Sequence, residues 1–142
     1  MGDPSKLVDS VYIDNAAQAH ILAADHLGPG SACAGKAYFI TNGEPVSMQR
    51  LLNGILDAAN LPPVNKRIPA SLAYAVGAGM EFTYNMLGKR SEPLMTRFVA
   101  RQLATAHYYD ISAARRDFDY NPSVTLEEGF AHLKKALQEN PI

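Results

Sequence analysis

Apolar positions along the chain change their spacing several times, and each change marks an element. Val11-Tyr-Ile13 is β-branched and aromatic and predicts a strand running straight into a helix over Ala16 to about Leu27, with Asp14 or Asn15 as its cap. Ala17, Ile21 and Ala24 fall at i, i+4 and i+7 of that helix, so one face is buried. Gly28 to Gly35 reads as a loop. Lys36-Ala-Tyr-Phe-Ile-Thr41 reads as a second strand, ended by the turn Asn42-Gly-Glu-Pro45. Ser47 then caps a helix carrying Met48, Leu51, Leu52, Ile55 and Ala59 at helical spacing. Gly54 weakens this helix by about 1 kcal/mol, which tertiary packing must outweigh.

Leu61 to Pro69 contains three prolines and predicts an extended crossing segment. Ala70 to Leu87 is nearly uniformly apolar, and at about 1.5 Å per residue it would reach ~27 Å, close to membrane thickness. Tyr74, Glu81, Thr83, Tyr84 and Asn85 interrupt it, and Gly77 and Gly79 lower its helix propensity, which argues against a membrane span. A buried packing helix is favoured over a membrane-surface helix because no basic face is present, although Lys89 and Arg90 follow directly. Pro93 to Ala106 is a further helix, with Met95, Phe98, Val99 and Leu103 on one side and Arg97 and Arg101 one turn apart on another. His107-Tyr-Tyr-Asp110 reads as a third short strand, and Ser112 caps a brief helix from Ala113 to Phe118. After the break at Asn121-Pro122, Thr125-Leu-Glu-Glu128 forms a capping box. Leu126, Phe130, Leu133 and Leu137 give the terminal helix a core-facing stripe.

Composition adds mainly exclusions. With 142 residues, 47% hydrophobic and 19% charged, the chain has the make-up of one ordinary globular domain, and its net charge of −1 gives no sign of nucleic-acid binding. Cys33 is the sole cysteine, so no intramolecular disulfide forms. A reducing compartment fits, and with no apolar leader in Met1 to Ser10 the cytoplasm is the expected location. The ten glycines nowhere form GxGxxG, GxxGxxG or a P-loop, and His20, His26, His107 and His132 lack metal-ligand spacing, so no metal site is expected. Cys33 has no neighbouring base and reads as an inert thiol rather than a nucleophile. Asp14 and Asn15 are explained by capping, and Glu127 and Glu128 by the capping box and helix dipole. The Arg97 and Arg101 pair reads as a solvated face; the sharper alternative is an anionic group or acidic side chain lying between them.

Several ordered blocks carry a family resemblance. They are Val11-Tyr-Ile-Asp-Asn15 with Ala19-His20 and Ala23, Ala37-Tyr-Phe-Ile-Thr-Asn-Gly-Glu-Pro45, Arg67-Ile-Pro69 and Leu94-Met-Thr-Arg97, followed by Tyr108-Tyr-Asp110, Phe118-Asp-Tyr-Asn-Pro122 and Glu127-Glu-Gly129. Together, from about Gly2 to Leu137, they resemble the C-terminal part of an extended short-chain dehydrogenase/reductase. The nearest branch is the 3β-hydroxysteroid dehydrogenase family, which includes sterol-4-carboxylate 3-dehydrogenases and bacterial reductases of long-chain 2-alkyl-3-oxo acids. Phe118-Asp119-Tyr120 departs from the family's usual Leu-Gly-Tyr, a change that Asp tolerates because it visits the left-handed region more readily than most residues.

The resemblance implies a mostly helical α/β fragment of about six helices and three short strands, the C-terminal part of an NAD(P)-binding Rossmann-type dehydrogenase. Residues 1–142 would form a single substrate-binding domain, with Lys36 to Thr41 as the last strand of a cofactor sheet whose N-terminal part is absent. The short strands near Val11 and Tyr108 would form a parallel pair. Family members use a Gly-rich dinucleotide loop and a Tyr-x-x-x-Lys pair, and none of the seven tyrosines here has Lys four positions on. No catalytic residue and no cofactor site is therefore expected in this chain, NAD or NADP belonging to the full-length enzyme. Tyr12 and Arg97 are the positions expected to face an apolar steroid or long-chain acyl substrate, with Asn15 mainly capping. Expected contacts are the N-terminal Rossmann half, a membrane surface at Ala70 to Leu87, and a dimer partner at the edge strand. The alternative is a stand-alone, noncatalytic module binding apolar ligands or proteins.

Overall fold

The computed structural model describes residues 6–65, 68–89 and 91–140; Arg67 of the family blocks and Arg90 lie outside them. In chain order the elements are β1 (Leu7–Val8), α1 (Ile13–Asp25), β2 (Val46–Ser47), α2 (Met48–Ala58), α3 (Ala70–Met86), α4 (Arg97–Ala104), α5 (Ser112–Phe118) and α6 (Leu126–Glu139). The six helices match the expectation from the sequence. The strands differ from it.

Strand pairing begins earlier than Val11. β1 runs antiparallel to β2 with Leu7 opposite Ser47 and Val8 opposite Val46. Val8 also bridges His107 in parallel, through Asp9 N donating to His107 O at 2.9 Å and His107 N donating to Leu7 O at 2.8 Å. The expected parallel pair near Val11 and Tyr108 is thus a single bridge a few residues upstream. Val11 and Tyr12 stay extended, and α1 starts at Ile13 rather than Ala16. A cap supplied from outside makes this early start workable, because Asn42 Oδ1 accepts from Tyr12 N at 3.0 Å.

Lys36 to Thr41 forms no strand, a correction with a plain physical cause. Between the Lys36 N bond to Cys33 O and the Asn42 N bond to Ser10 O, no backbone amide of Ala37 to Thr41 is bonded among the described residues. A strand is defined by its ladder, and this extended segment has none here. Its side chains are nonetheless ordered by period two. Tyr38 and Ile40 pack on the core, while Phe39 faces out and stacks on Tyr109 with ring centroids 4.3 Å apart.

That core joins α1 to α5 through Ala19, Cys33, Ile111, Ala114, Phe118 and Tyr120. Cys33 is buried with its Sγ 3.5 Å from His26 O, in keeping with an inert thiol. Asp119 ends α5 in the left-handed region at φ 54°, the turn that the departure from Leu-Gly-Tyr was expected to preserve. Ser112 does not cap α5 from outside. It is the first helical residue, and Asp110 Oδ1 accepts from its amide at 2.8 Å.

α2 and α6 pack together as a second unit. Gly54 is what lets them meet: a Cβ there would lie 2.4 Å from the Phe130 ring. The Ser47 cap and the full Thr125/Glu128 capping box are both present. α3 and α4 form a third unit, in which Gly77 brings α3 against the start of α4; a Cβ would meet the Thr96 carbonyl carbon at 2.7 Å. Thr96 accepts from Val99 N at 3.1 Å and so delays α4 from Pro93 to Arg97. α3 does not conform to the buried helix expected. Gly77 is its one buried residue, and Phe82 and Met86 are 68% and 75% exposed.

Candidate functional site

A mainly apolar cleft of about 320 Å³ lies between α2, α6 and the Ser10–Tyr12 approach to α1, walled by Tyr12, Leu51, Ile55, Leu126, Phe130 and Leu133, with Ser10, Asn42 and Thr125 also in its lining. The helical spacing of Leu51 and Ile55 on α2, and of Leu126, Phe130 and Leu133 on α6, aims these side chains at one another. Phe130 settles over Gly54 and leaves the remainder of the seam open.

Tyr12 forms a wall of this cleft. Its ring lies on α6 where Gly129 has no side chain; a Cβ there would sit 3.1 Å from Tyr12 Cδ2. One turn further along α6, the Tyr12 hydroxyl is hydrogen-bonded to His132 Nδ1 at 3.0 Å, with the two rings tilted 58° at 5.5 Å. His132 is exposed, so the pair stands at the rim with a polar group facing water and an apolar ring facing the cleft. Sequence reasoning considered His132 only as a metal ligand. The available signal was its place beside Leu133 in the stripe of a helix whose Gly129 invites an aromatic neighbour.

Asn15 does not cap α1. Its side chain is fully buried and ties three segments together: Nδ2 donates to Asn42 Oδ1 at 2.9 Å and to Val124 O at 2.7 Å, while Oδ1 accepts from Ser123 N and Val124 N, both at 3.0 Å. The position reads as a cap because Asn leads caps statistically, but these tertiary partners claim every polar atom it has. Asn15 therefore positions the Tyr12 approach and the start of α6 from beneath, without lining the cleft.

Arg97 is elsewhere. Its Nε donates to Glu81 Oε2 at 2.6 Å and its amide to Glu81 Oε1 at 2.7 Å. The bond from the Arg97 amide holds Glu81 below its ordinary value, and Glu81 in turn holds Arg97 above its own. Glu81 on α3 is thus the acidic partner of Arg97, and among the described residues Arg101 has no ion pair with it. Arg97 is not among the residues that line the cleft beside Tyr12. The hollow by α3 and α4, between Ile68, Ala73, Met95, Ala100 and Leu103, is only about 50 Å³.

A second polar cluster sits at the extended segment. Asp117 Oδ2 accepts from Tyr38 Oη at 2.7 Å and Lys36 Nζ at 3.2 Å, and its Oδ1 accepts from Arg116 Nε at 2.8 Å. Arg116, then Tyr38, hold the Asp117 carboxyl far below the usual range. Burial, then the bond to Asp117, pushes Tyr38 up to about 12.

No group of three or more metal-ligating side chains exists among the described residues. The glycines with positive φ, at 30, 35, 43 and 88, stand in turns and not at the N-terminus of a helix, so no backbone cradle awaits a pyrophosphate.

Six helices with a two-stranded sheet and an extended, unladdered segment make up the described fold, which is similar to part of a Rossmann-type dehydrogenase. The crystal structure of gox2253 shares this fold at a TM-score of 0.64 and 19% identity, over 94% of this chain and 39% of that one. Residues 1–69 match the sequence model of the 3-beta hydroxysteroid dehydrogenase/isomerase family, and the chain belongs to that family. Over 96% of its length it is 56% identical to a 2-alkyl-3-oxoalkanoate reductase from Shewanella oneidensis, covering 36% of that protein. It is 32% identical over 95% of its length to a sterol-4-alpha-carboxylate 3-dehydrogenase (decarboxylating) from Mus musculus, covering 40% of it. The chain thus spans well under half the length of these curated relatives.

Proposed function

We propose that this chain is the substrate-binding portion of an NAD(P)-dependent oxidoreductase acting on a 3-hydroxy or 3-oxo group of a long-chain or steroid-like apolar substrate. The observation that carries the reading is the 56% identity to a 2-alkyl-3-oxoalkanoate reductase across nearly the whole chain. The apolar cleft beside Tyr12 supports it. The dinucleotide, the hydride and the proton donor would come from a Rossmann part, whose sheet the Lys36 to Thr41 segment would complete. Pairing there accounts better for the free amides of this segment than a dimer made by the same edge. Tyr12 would contribute a substrate-facing wall; Arg97, held by Glu81, would border the substrate only if that pair opened.

The exposed apolar residues of α3, among them Phe82 and Met86, would meet the rest of the protein or a membrane surface. No helix among the described residues is long and apolar enough to cross a membrane. A cytoplasmic enzyme with peripheral membrane contact is the setting we infer.

The test is NADH and NADPH oxidation with a 2-alkyl-3-oxoalkanoate, measured for the 142-residue chain and for the longest reading frame containing it. Turnover by the longer product only is expected. Turnover by the 142 residues alone would sink the reading. A frame that adds no Gly-rich loop and no Tyr-x-x-x-Lys would favour the second reading, a noncatalytic apolar-ligand module, which draws its support from a cleft built wholly from this chain's own residues.

A further inference from the structure

We propose that the cleft between α2 and α6 is a binding site for a single unbranched aliphatic chain, with the polar end of the ligand at the Tyr12–His132 pair on its rim. The inference rests on the oxidoreductase reading only for the nature of that polar end. Protein interiors rarely keep voids larger than a water, so an apolar space of about 320 Å³ between two helices already in contact is a concavity with room for an occupant. At roughly 30 Å³ per methylene-sized group, it takes about ten of them.

Chemistry narrows the class. The wall is aliphatic at Leu51, Ile55, Leu126 and Leu133 and presents no charged side chain, which excludes phosphates, sugars and metal ions. Ser10, Asn42 and Thr125 add only uncharged polar groups to the lining, and at Tyr12 a hydroxyl and the His132 imidazole meet at 3.0 Å and offer both a donor and an acceptor to a carbonyl, hydroxyl or carboxylate.

Ile55 and Leu51 are the length gauge. Both lie on α2, across the seam from the rim pair, so enlarging either shortens the space without touching Tyr12 or His132. The experiment is a titration of the complete protein with alkanoates from hexanoate to hexadecanoate, followed by displacement of cis-parinaric acid. For the unaltered protein, Kd should fall about fourfold with each methylene added, the factor expected for burying one, and level off near ten to twelve carbons. Ile55→Trp should move the levelling point to shorter chains by two carbons or more, and Leu51→Phe should do the same should the first variant lose its cooperative melting transition. Tyr12→Phe should weaken every length by a similar factor and leave the levelling point in place. Ile21→Trp, an equal enlargement at an exposed position on α1, should change nothing.

Three results would overturn the site: no levelling point, a levelling point unmoved in both α2 variants, or binding by the 142-residue chain that vanishes in the complete protein. The last would mean that another part of the protein fills the cleft. NADPH oxidation with an unchanged chain-length profile in Ile55→Trp would remove the site and leave the oxidoreductase reading intact. Chain-length gating without any NADPH oxidation would do the reverse.

Discussion

Single side chains do two kinds of work in this chain, and Asn15 shows how easily one is mistaken for the other. Its position before an apolar helical run matches a cap, while its buried amide bonds Asn42, Ser123 and Val124. Asn15→Ala leaves the part-buried Ser123 and Val124 amides without their acceptor, while Asn42 Oδ1 and Val124 O each keep one donor, and at about 1 kcal/mol or more for each unmet amide a loss of about 2–3 kcal/mol in urea unfolding is expected. An exposed cap would cost about 1 kcal/mol, so the measurement separates the roles. Asp117 gives a pH signature. Its folded-state value lies below the 3.8 of an unfolded chain, so the stability it contributes is present above pH 3.8 and is lost as pH falls below that. Tyr38, pushed up to about 12, acts at the other limb: its contribution is whole below pH 10 and disappears as pH rises toward 12. Thermal melts should show Asp117→Asn flattening the acid limb and Tyr38→Phe the alkaline one. An unchanged acid limb in Asp117→Asn would remove the cluster from the account.

At the scale of elements, the helices were legible in the sequence because their signals are local: the Ser47 cap, the Thr125/Glu128 box and the stripe Leu126, Phe130, Leu133 all act within a turn or two. Strands are made by partners. Nothing within Lys36 to Thr41 states whether a ladder exists, and nothing near Leu7 or Val46 announces their pairing, so both were misjudged. The cleft was half legible, since Leu51, Ile55, Leu126, Phe130 and Leu133 were named in apolar stripes but the space between them depends on how closely α2 approaches α6. Gly54 decides that approach. Replacing it with Ala gains up to about 1 kcal/mol of helix propensity and drives a methyl into the Phe130 ring, an overpacking cost of about 1–3 kcal/mol. Net destabilisation is expected, and Phe130→Leu in the same chain should return most of it. A Gly54→Ala protein more stable than the parent would show that the ring moves aside freely.

Seen whole, the molecule has edges that its own residues do not cover. The amides of Ala37 to Thr41 have no partner among the described residues, and Phe39, Phe82 and Met86 lie open. For the 142-residue chain alone, hydrogen exchange of these five amides should approach that of an unstructured peptide, while the α6 amides stay protected; in the longer protein the five should slow by orders of magnitude. Equal exchange in both would mean that no sheet receives this segment. The family was readable from sequence blocks, whereas the exposure of α3 was not: a largely apolar helix looks the same whether its own chain or another surface covers it.

The Asn15 clamp also sets an order of events in time. Its bonding partners, Ser123 and Val124, lie 108 and 109 residues further along the chain. A ribosome adding 5–20 residues per second takes roughly 5 to 20 s to make that stretch. Throughout that interval the first turn of α1 can form, but its amide stays hydrated and the approach to the cleft stays unfixed. α1, made well before these partners, is therefore locked late, and a chain that stalls short of Val124 leaves a loose end for proteases to find.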